Sequence, residues 1–250
     1  MRRISVLSSD LTQREFRDRF ARGGYWWTMA VNQNLGAALA VIAIRLGVQP
    51  VQLSLLNVLT GAATSAWVLL LHGSRPLTAA IVGLLGWQTA YSLDCADGQV
   101  ARATARSSPA GAVLDLLSDF FVQITVIFTM LQIAADGMDP TWISGFAVFV
   151  TGGWLISPYY GGILGLHDFS SGRRDPRSFR ALAKHSRDYG FHVAILPAAM
   201  LIGAPLVASI LAGIAVLNFL ALFVGLTRHG RGHAPESARP RRTRRQRGRG

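Results

Sequence analysis

The sequence predicts an all-α fold: a polytopic membrane protein with six transmembrane helices, preceded by short interfacial helices. Three observations carry that expectation. The 250-residue chain is 50% hydrophobic with a mean hydropathy of +0.33, yet only 15% of it is charged, which is low for a soluble domain. It contains several apolar runs close to the ~20 residues that a spanning helix needs. Its arginines are shared unequally between the segments that join those runs.

Two shorter helices are expected before the first span. Leu11 to Arg22 mixes Arg14, Arg17 and Arg19 with Phe16 and Phe20, and Tyr25, Trp26 and Trp27 follow it. Basic and aromatic side chains of this kind settle at a membrane interface. Leu35 to Leu46 is apolar but too short to cross. Both are placed at the cytoplasmic face. Spans are expected at Val51 to Leu71, Leu77 to Leu93, Val113 to Ile133 and Thr141 to Leu164. The run from Phe191 to Leu226 would overshoot a hydrocarbon core of about 30 Å as one helix. Gly203, Ala204 and Pro205 break it into a fifth and a sixth span. Pro158 and Pro197 fall inside spans and are expected to kink them.

The polar segment Gly165 to Tyr189 carries six basic residues with Asp168, Asp175 and Asp188, and is read as a loop or short helix. Past Thr227 the chain becomes rich in Arg, Gly and Pro, has nothing apolar to bury, and is expected to be disordered. The resulting division is 1–50 for the N-terminal cytoplasmic and interfacial helices, 51–226 for a six-helix catalytic domain and 227–250 for a cytoplasmic tail. That tail can hold anionic lipid headgroups at about 1 kcal/mol per basic residue, or it is simply solvated, since every basic residue but Lys184 is Arg.

With six spans both termini share one side. That side holds Arg2, Arg3, Arg14, Arg17, Arg19, Arg22, Arg45, Arg102, Arg106, the basic loop from Arg173 to Arg187 and the tail; the other holds only Arg75, with Asp136 and Asp139. Cytoplasmic loops carry such an excess of Lys and Arg, so a cell-membrane protein with both ends in the cytoplasm is expected. Met1 to Asp10 lacks the apolar core of a secretory signal, and no cleavage is expected. A single cysteine, Cys95, excludes an internal disulfide and is read as a small buried side chain. No nucleic-acid partner is expected.

The acids are distributed just as unevenly. Between Asp18 and Asp136 there are only four, in Asp94-Cys95-Ala96-Asp97-Gly98-Gln99-Val100-Ala101-Arg102 and Gly111-Ala112-Val113-Leu114-Asp115-Leu116-Leu117-Ser118-Asp119. Asp94 and Asp97 end the second predicted span, and Asp115 and Asp119 open the third. Residues three or four apart share a helix face, so each span presents a carboxylate pair. A short connection makes the two helices antiparallel neighbours, and the pairs are expected to converge. Each acid near hydrocarbon costs roughly 2.5 to 3.5 kcal/mol, so cations must compensate. No His or Cys set with zinc spacing accompanies them, and all-oxygen ligation suits Mg²⁺ or Mn²⁺. Two such ions about 3.5 to 4 Å apart grip the attacking and leaving oxygens of a displacement at phosphorus. Gly98, Ala101 and Gly111 remove bulk beside a ligand, and Arg102 offers a planar fork for phosphate oxygens.

The string from Asp94 to Asp119 resembles, at every defining position, the signature of the CDP-alcohol phosphotransferase family: Asp-x-x-Asp-Gly-x-x-Ala-Arg, eight residues, Gly, three residues, Asp, three residues, Asp. The six-span layout is also similar. The resemblance implies that Asp94, Asp97 and Asp115 ligate two metal ions, Mg²⁺ or Mn²⁺. Asp119 would complete the site and act as the base that deprotonates the acceptor hydroxyl. Gly98, Ala101, Arg102 and Gly111 would line the CDP site. The acceptor would attack the phosphorus distal to cytidine and expel CMP, and a homodimer is implied. One departure stands out: where several members carry Pro-Asn-x-x-Thr at the start of the first span, this chain has Pro50-Val51-Gln52-Leu53-Ser54, which keeps the proline and a hydroxyl but lacks the amide.

The expected activity is thus transfer of a substituted phosphate, in phospholipid biosynthesis, from a CDP-linked donor to a small polar alcohol. CDP-diacylglycerol is the expected donor, because a site at the membrane edge admits acyl chains between helices. A second reading moves the phosphate from another CDP-alcohol to an inositol derivative or diacylglycerol. A third, a divalent-cation transporter, is opposed by the clustering of the acids at one side. Arg180, Lys184 and Arg187, beside His185, are candidates for holding the acceptor's charge, or are topological anchors. His229 and His233 are four apart, but Gly230 and Gly232 oppose a helix there, and no metal role is expected.

Overall fold

The structure, a computed structural model, describes residues 12–21, 24–156 and 188–232, the last five of these by backbone only. Every regular element among them is helical: α1 Gln13–Phe20, α2 Gln33–Arg45, α3 Pro50–His72, α4 Pro76–Ala103, α5 Pro109–Ala135, α6 Pro140–Thr151, α7 Tyr189–Ile202 and α8 Ala204–Gly232. Wider π-helical turns, Thr28–Asn32 and Gly152–Ile156, precede α2 and follow α6.

The boundaries follow from local chemistry. Four successive helices begin on a proline, Pro50, Pro76, Pro109 and Pro140, whose missing N–H costs nothing in a first turn that has no acceptor for it. Ser108 and Asp139 cap α5 and α6 by accepting from Gly111 N and Thr141 N. At α1, the Thr12 hydroxyl and backbone both donate to Glu15, closing a capping box and holding that exposed carboxyl below its usual range. Gly203, at φ +137, separates α7 from α8 where the sequence predicts the break.

Three described helices are long and apolar enough to cross a bilayer: α3, α5 and Ala204–Thr227 of α8; α7 is a shorter apolar helix. Their outward faces need an apolar solvent, since Leu70 is 72% and Phe223 65% exposed. The second predicted span lies within α4, which continues unbroken through Asp94 and Asp97 to Ala103. The fourth is described to Ile156; its remainder, with Pro158, lies outside the described residues, as does the basic loop with Arg180, Lys184, His185 and Arg187. Pro197 lies inside α7. One expectation is corrected: α8 continues to Gly232 through His229, past the glycines expected to stop it. Extending an existing helix fixes one residue per added hydrogen bond, so propagation tolerates residues that would defeat nucleation.

Packing corrects a second expectation. The helices carrying the two acidic pairs, α4 and α5, barely touch, and α3 packs along both. Its fit is steric. A methyl on Gly61 of α3 would come within 2.8 Å of Val122 of α5, so only glycine lets the two approach. Trp87 of α4 donates to Ser65 of α3 at 3.1 Å. On the other side of α4 lies α2, where a methyl on Gly36 would stand 2.8 Å from Cys95 Cβ. Cys95 is buried in that contact, as its sequence context predicts. One core, with Trp87, Met130, Ile133, Trp154, Leu196 and Leu211, unites α4 to α8; another, with Phe16, Ala40, Leu93, Ala96 and Val100, seats α1 and α2 on α4.

A buried polar tie joins the N-terminal segment to α7. Asp188 is fully buried and caps α7, accepting from Gly190 N at 3.0 Å, Thr28 N at 2.9 Å and Thr28 Oγ1 at 2.5 Å. Beside it Asn32 Nδ2 donates to Gln88 Oε1, and Gln88 Nε2 to the Gly190 carbonyl, both at 2.7 Å. Asp188→Ala removes a cap and strands buried donors, and is expected to lower the unfolding free energy by about 3 kcal/mol. The midpoint of chemical unfolding in detergent measures this, and an unchanged midpoint would show that the tie does not stabilise the fold.

Candidate metal and nucleotide site

The acidic pairs lie on continuous helices, so backbone geometry alone aims them: Asp94 and Asp97 on one face of α4, Asp115 and Asp119 on one face of α5. Although those helices scarcely touch, the structure brings Asp94, Asp97 and Asp115 together, with one carboxylate oxygen from each lying within 4.8 Å of the others. Asp97 is buried, Asp94 half-buried and Asp115 exposed, so the cluster opens toward one side. Asp119 lies a turn farther along α5, outside that group of three but within electrostatic reach of Asp94, Tyr91 and Tyr189.

Two details test whether the residues suit a cation. Ser54 Oγ donates to Asp97 Oδ2 at 2.5 Å, which fixes that carboxylate in one orientation from α3. Asp94 Oδ1 is buried with no hydrogen-bond partner. A stranded buried carboxylate oxygen is costly, and three such groups converging without compensation more so. A divalent ion with oxygen ligands removes both penalties, and nothing softer than oxygen ligates within the cluster. The donor set therefore fits Mg²⁺ or Mn²⁺.

The gap between α4 and α5 is a cavity of about 390 Å³, within the range of small-molecule sites. Its floor is the start of α3, with Pro50, Val51 and Ser54; its walls are Asp97, Gly98, Ala101 and Arg102 of α4, and Gly111, Leu114 and Asp115 of α5. Arg106, Ser107 and Ser108 close the rim. All four residues expected at the nucleotide thus border one cavity with two of the acids. The rim depends on an unusual turn. Ala105 is left-handed, at φ 53, and Arg106 N bonds back to the Ala101 carbonyl at 2.8 Å, the closing bond of a Schellman motif in which glycine usually occupies Ala105's place.

Sequence reasoning missed three parts of this site. Ser54 was legible only as the hydroxyl remaining in an altered motif, while its bond to Asp97 spans 43 residues. Tyr91 and Tyr189, with ring centroids 5.0 Å apart, form an aromatic wall beside Asp119 and Asp94. Tyr91 had a local signal, one turn before Asp94, whereas Tyr189 had none. The third is the Phe20 carbonyl, which accepts from Arg102 Nε at 2.6 Å.

No curated protein matches the chain. The model of the CDP-alcohol phosphatidyltransferase family matches residues 47–157, a segment that holds all four aspartates and every wall of the cavity. Members of that family transfer a phosphatidyl group from a CDP-alcohol and use a divalent metal. Over residues 47–157 the chain is thus similar to the CDP-alcohol phosphatidyltransferase family.

Proposed function

We propose that the protein is a multi-pass membrane enzyme that transfers a phosphatidyl group from CDP-diacylglycerol to a small polar alcohol, releasing CMP. The observation that carries this reading is the meeting of Asp94, Asp97 and Asp115 beside a cavity that Arg102 also lines. In this reading those three aspartates, with Asp119, hold two ions of Mg²⁺ or Mn²⁺. The ions, when bound, neutralise charge on the donor's diphosphate and on the leaving oxygen. Gly98, Ala101 and Gly111 let the nucleotide lie against the backbone, and Arg102 holds the diphosphate.

Asp119 is the base. It takes the proton of the acceptor hydroxyl as that oxygen forms a bond to the phosphorus distal to cytidine, the bond from that phosphorus to the bridging oxygen breaks, and CMP leaves with the electron pair. Tyr91 and Tyr189, packed edge to face, border this step beside Asp119. A lipid donor is favoured over a soluble one because Val51 and Leu114 border the cavity and are also exposed at its edge. Acyl chains leaving there enter hydrocarbon while the nucleotide stays among polar groups. Transfer from another CDP-alcohol to an inositol derivative or diacylglycerol is the runner-up.

In the same reading the chain crosses the plasma membrane six times. Residues 1–50 and 227–250 lie on the cytoplasmic side and 51–226 form the catalytic domain, which works as a homodimer. Support comes from the arginines: Arg45, Arg102 and Arg106 lie at the acidic end of the bundle, whereas Arg75 shares the opposite end with Asp136 and Asp139.

The direct test is CMP release from CDP-diacylglycerol by purified protein in detergent, with serine, glycerol 3-phosphate, inositol 1-phosphate and inositol as acceptors. Release is expected only with Mg²⁺ or Mn²⁺ and is abolished by chelation. Metal-dependent cation flux in vesicles without any CMP release would instead favour a transporter. Asp119→Asn is expected to lower turnover by about 100- to 10,000-fold while CDP still binds; retained turnover would remove Asp119 from the base role. Ser54→Ala frees the Asp97 carboxylate and is expected to weaken Mn²⁺ binding about tenfold, read by calorimetric titration. Unchanged affinity would reduce the Ser54 contact to packing.

A further inference from the structure

Arg102 is oriented by a segment remote in sequence. Its Nε donates at 2.6 Å to the carbonyl of Phe20, the last residue of α1, 82 positions upstream. The last carbonyls of a helix have no donor within the helix and carry the negative end of its dipole, so they attract a guanidinium. The guanidinium also lies close to Gly98, where an added methyl would stand 3.0 Å from Nη1 and 3.4 Å from Nη2. Arg102 thus lies against a carbonyl and bare helix backbone. A guanidinium has two bidentate edges, one of which contains Nε. With Nε committed to Phe20, a diphosphate held bidentately meets the Nη1–Nη2 edge.

What holds α1 in place is equally specific. Phe16 is fully buried in the cluster with Ala40, Ala96 and Val100, and its ring packs 4.8 Å from that of Phe20. Gln13 Nε2 donates to the Asn34 carbonyl and Arg17 Nη1 to Asn34 Oδ1, both at 2.7 Å. The helix is therefore docked along its length, and its final carbonyl is aimed at the cavity.

We infer that α1 is part of the donor site, with Phe16 as a positioning residue that acts through the Phe20 carbonyl to aim Arg102 at the nucleotide's diphosphate. The inference rests on the reading of the cavity as a CDP site and goes beyond it, because α1 lies outside residues 47–157.

The test uses the full chain in detergent with Mn²⁺ and measures the dissociation constants of CDP, CMP and Mn²⁺. Phe16→Ala is expected to weaken CDP binding about tenfold, to weaken CMP less, since CMP lacks the second phosphate, and to leave Mn²⁺ binding unchanged. Phe16→Leu restores CDP affinity. The deciding comparison is made in an Arg102→Ala background, where Phe16→Ala is expected to have no further effect on CDP. Equal and additive losses in both backgrounds would overturn the inference while leaving the CDP site intact. Wild-type protein that binds Mn²⁺ but no CDP would overturn the donor-site reading itself, and this inference with it.

Discussion

Carboxylates gathered at the edge of an apolar bundle repel one another and resist desolvation, and the architecture around Asp94, Asp97 and Asp115 is organised by that repulsion. Two packed helices carrying the pairs face to face would force the charges together with no room for what neutralises them. Instead α3 packs along both α4 and α5, joined to one through Trp87 and Ser65 and to the other through Gly61 and Val122. The gap left between α4 and α5 is a cavity of about 390 Å³ beside the acids, floored by the start of α3. Ser54, on the same helix, fixes Asp97. One helix thus packs against both acid-bearing helices and orients Asp97, the buried member of the group of three.

A second layer of organisation comes from the N-terminal segment. The Thr28 turn is tied to the start of α7 through buried Asp188, and Asn32 reaches the same place through Gln88. These contacts hold Tyr189 against Tyr91, beside Asp94 and Asp119. At the far end of α4, α1 reaches Arg102. Segments too short to cross a membrane therefore contact α4 at two levels, and α2 packs along it through Gly36.

Much of the site was legible before any coordinates. Helical periodicity alone put Asp94 with Asp97 and Asp115 with Asp119, and the composition of the intervening segment named Gly98, Ala101, Arg102 and Gly111, all of which border the cavity. Ser54, Tyr189 and the Phe20 carbonyl were not legible. A hydroxyl, a phenol and a main-chain oxygen are common groups whose roles depend on what lies across from them. The helix continuing through His229 to Gly232 was misjudged because residue propensities describe nucleation better than extension.

By itself, the sequence determined the helical class, the breaks at proline and at Gly203, and the pairing of acids on the faces of two helices. These depend on periodicity and residue type, which are local properties. Only the tertiary structure decided that α3 packs against both acidic helices while those two barely touch, that Asp119 stands apart from the close group of three, and that α1 grips Arg102. Those outcomes turn on which surfaces approach most closely, through single glycines and single hydrogen bonds between residues 43 and 82 positions apart, and no local pattern encodes such distances.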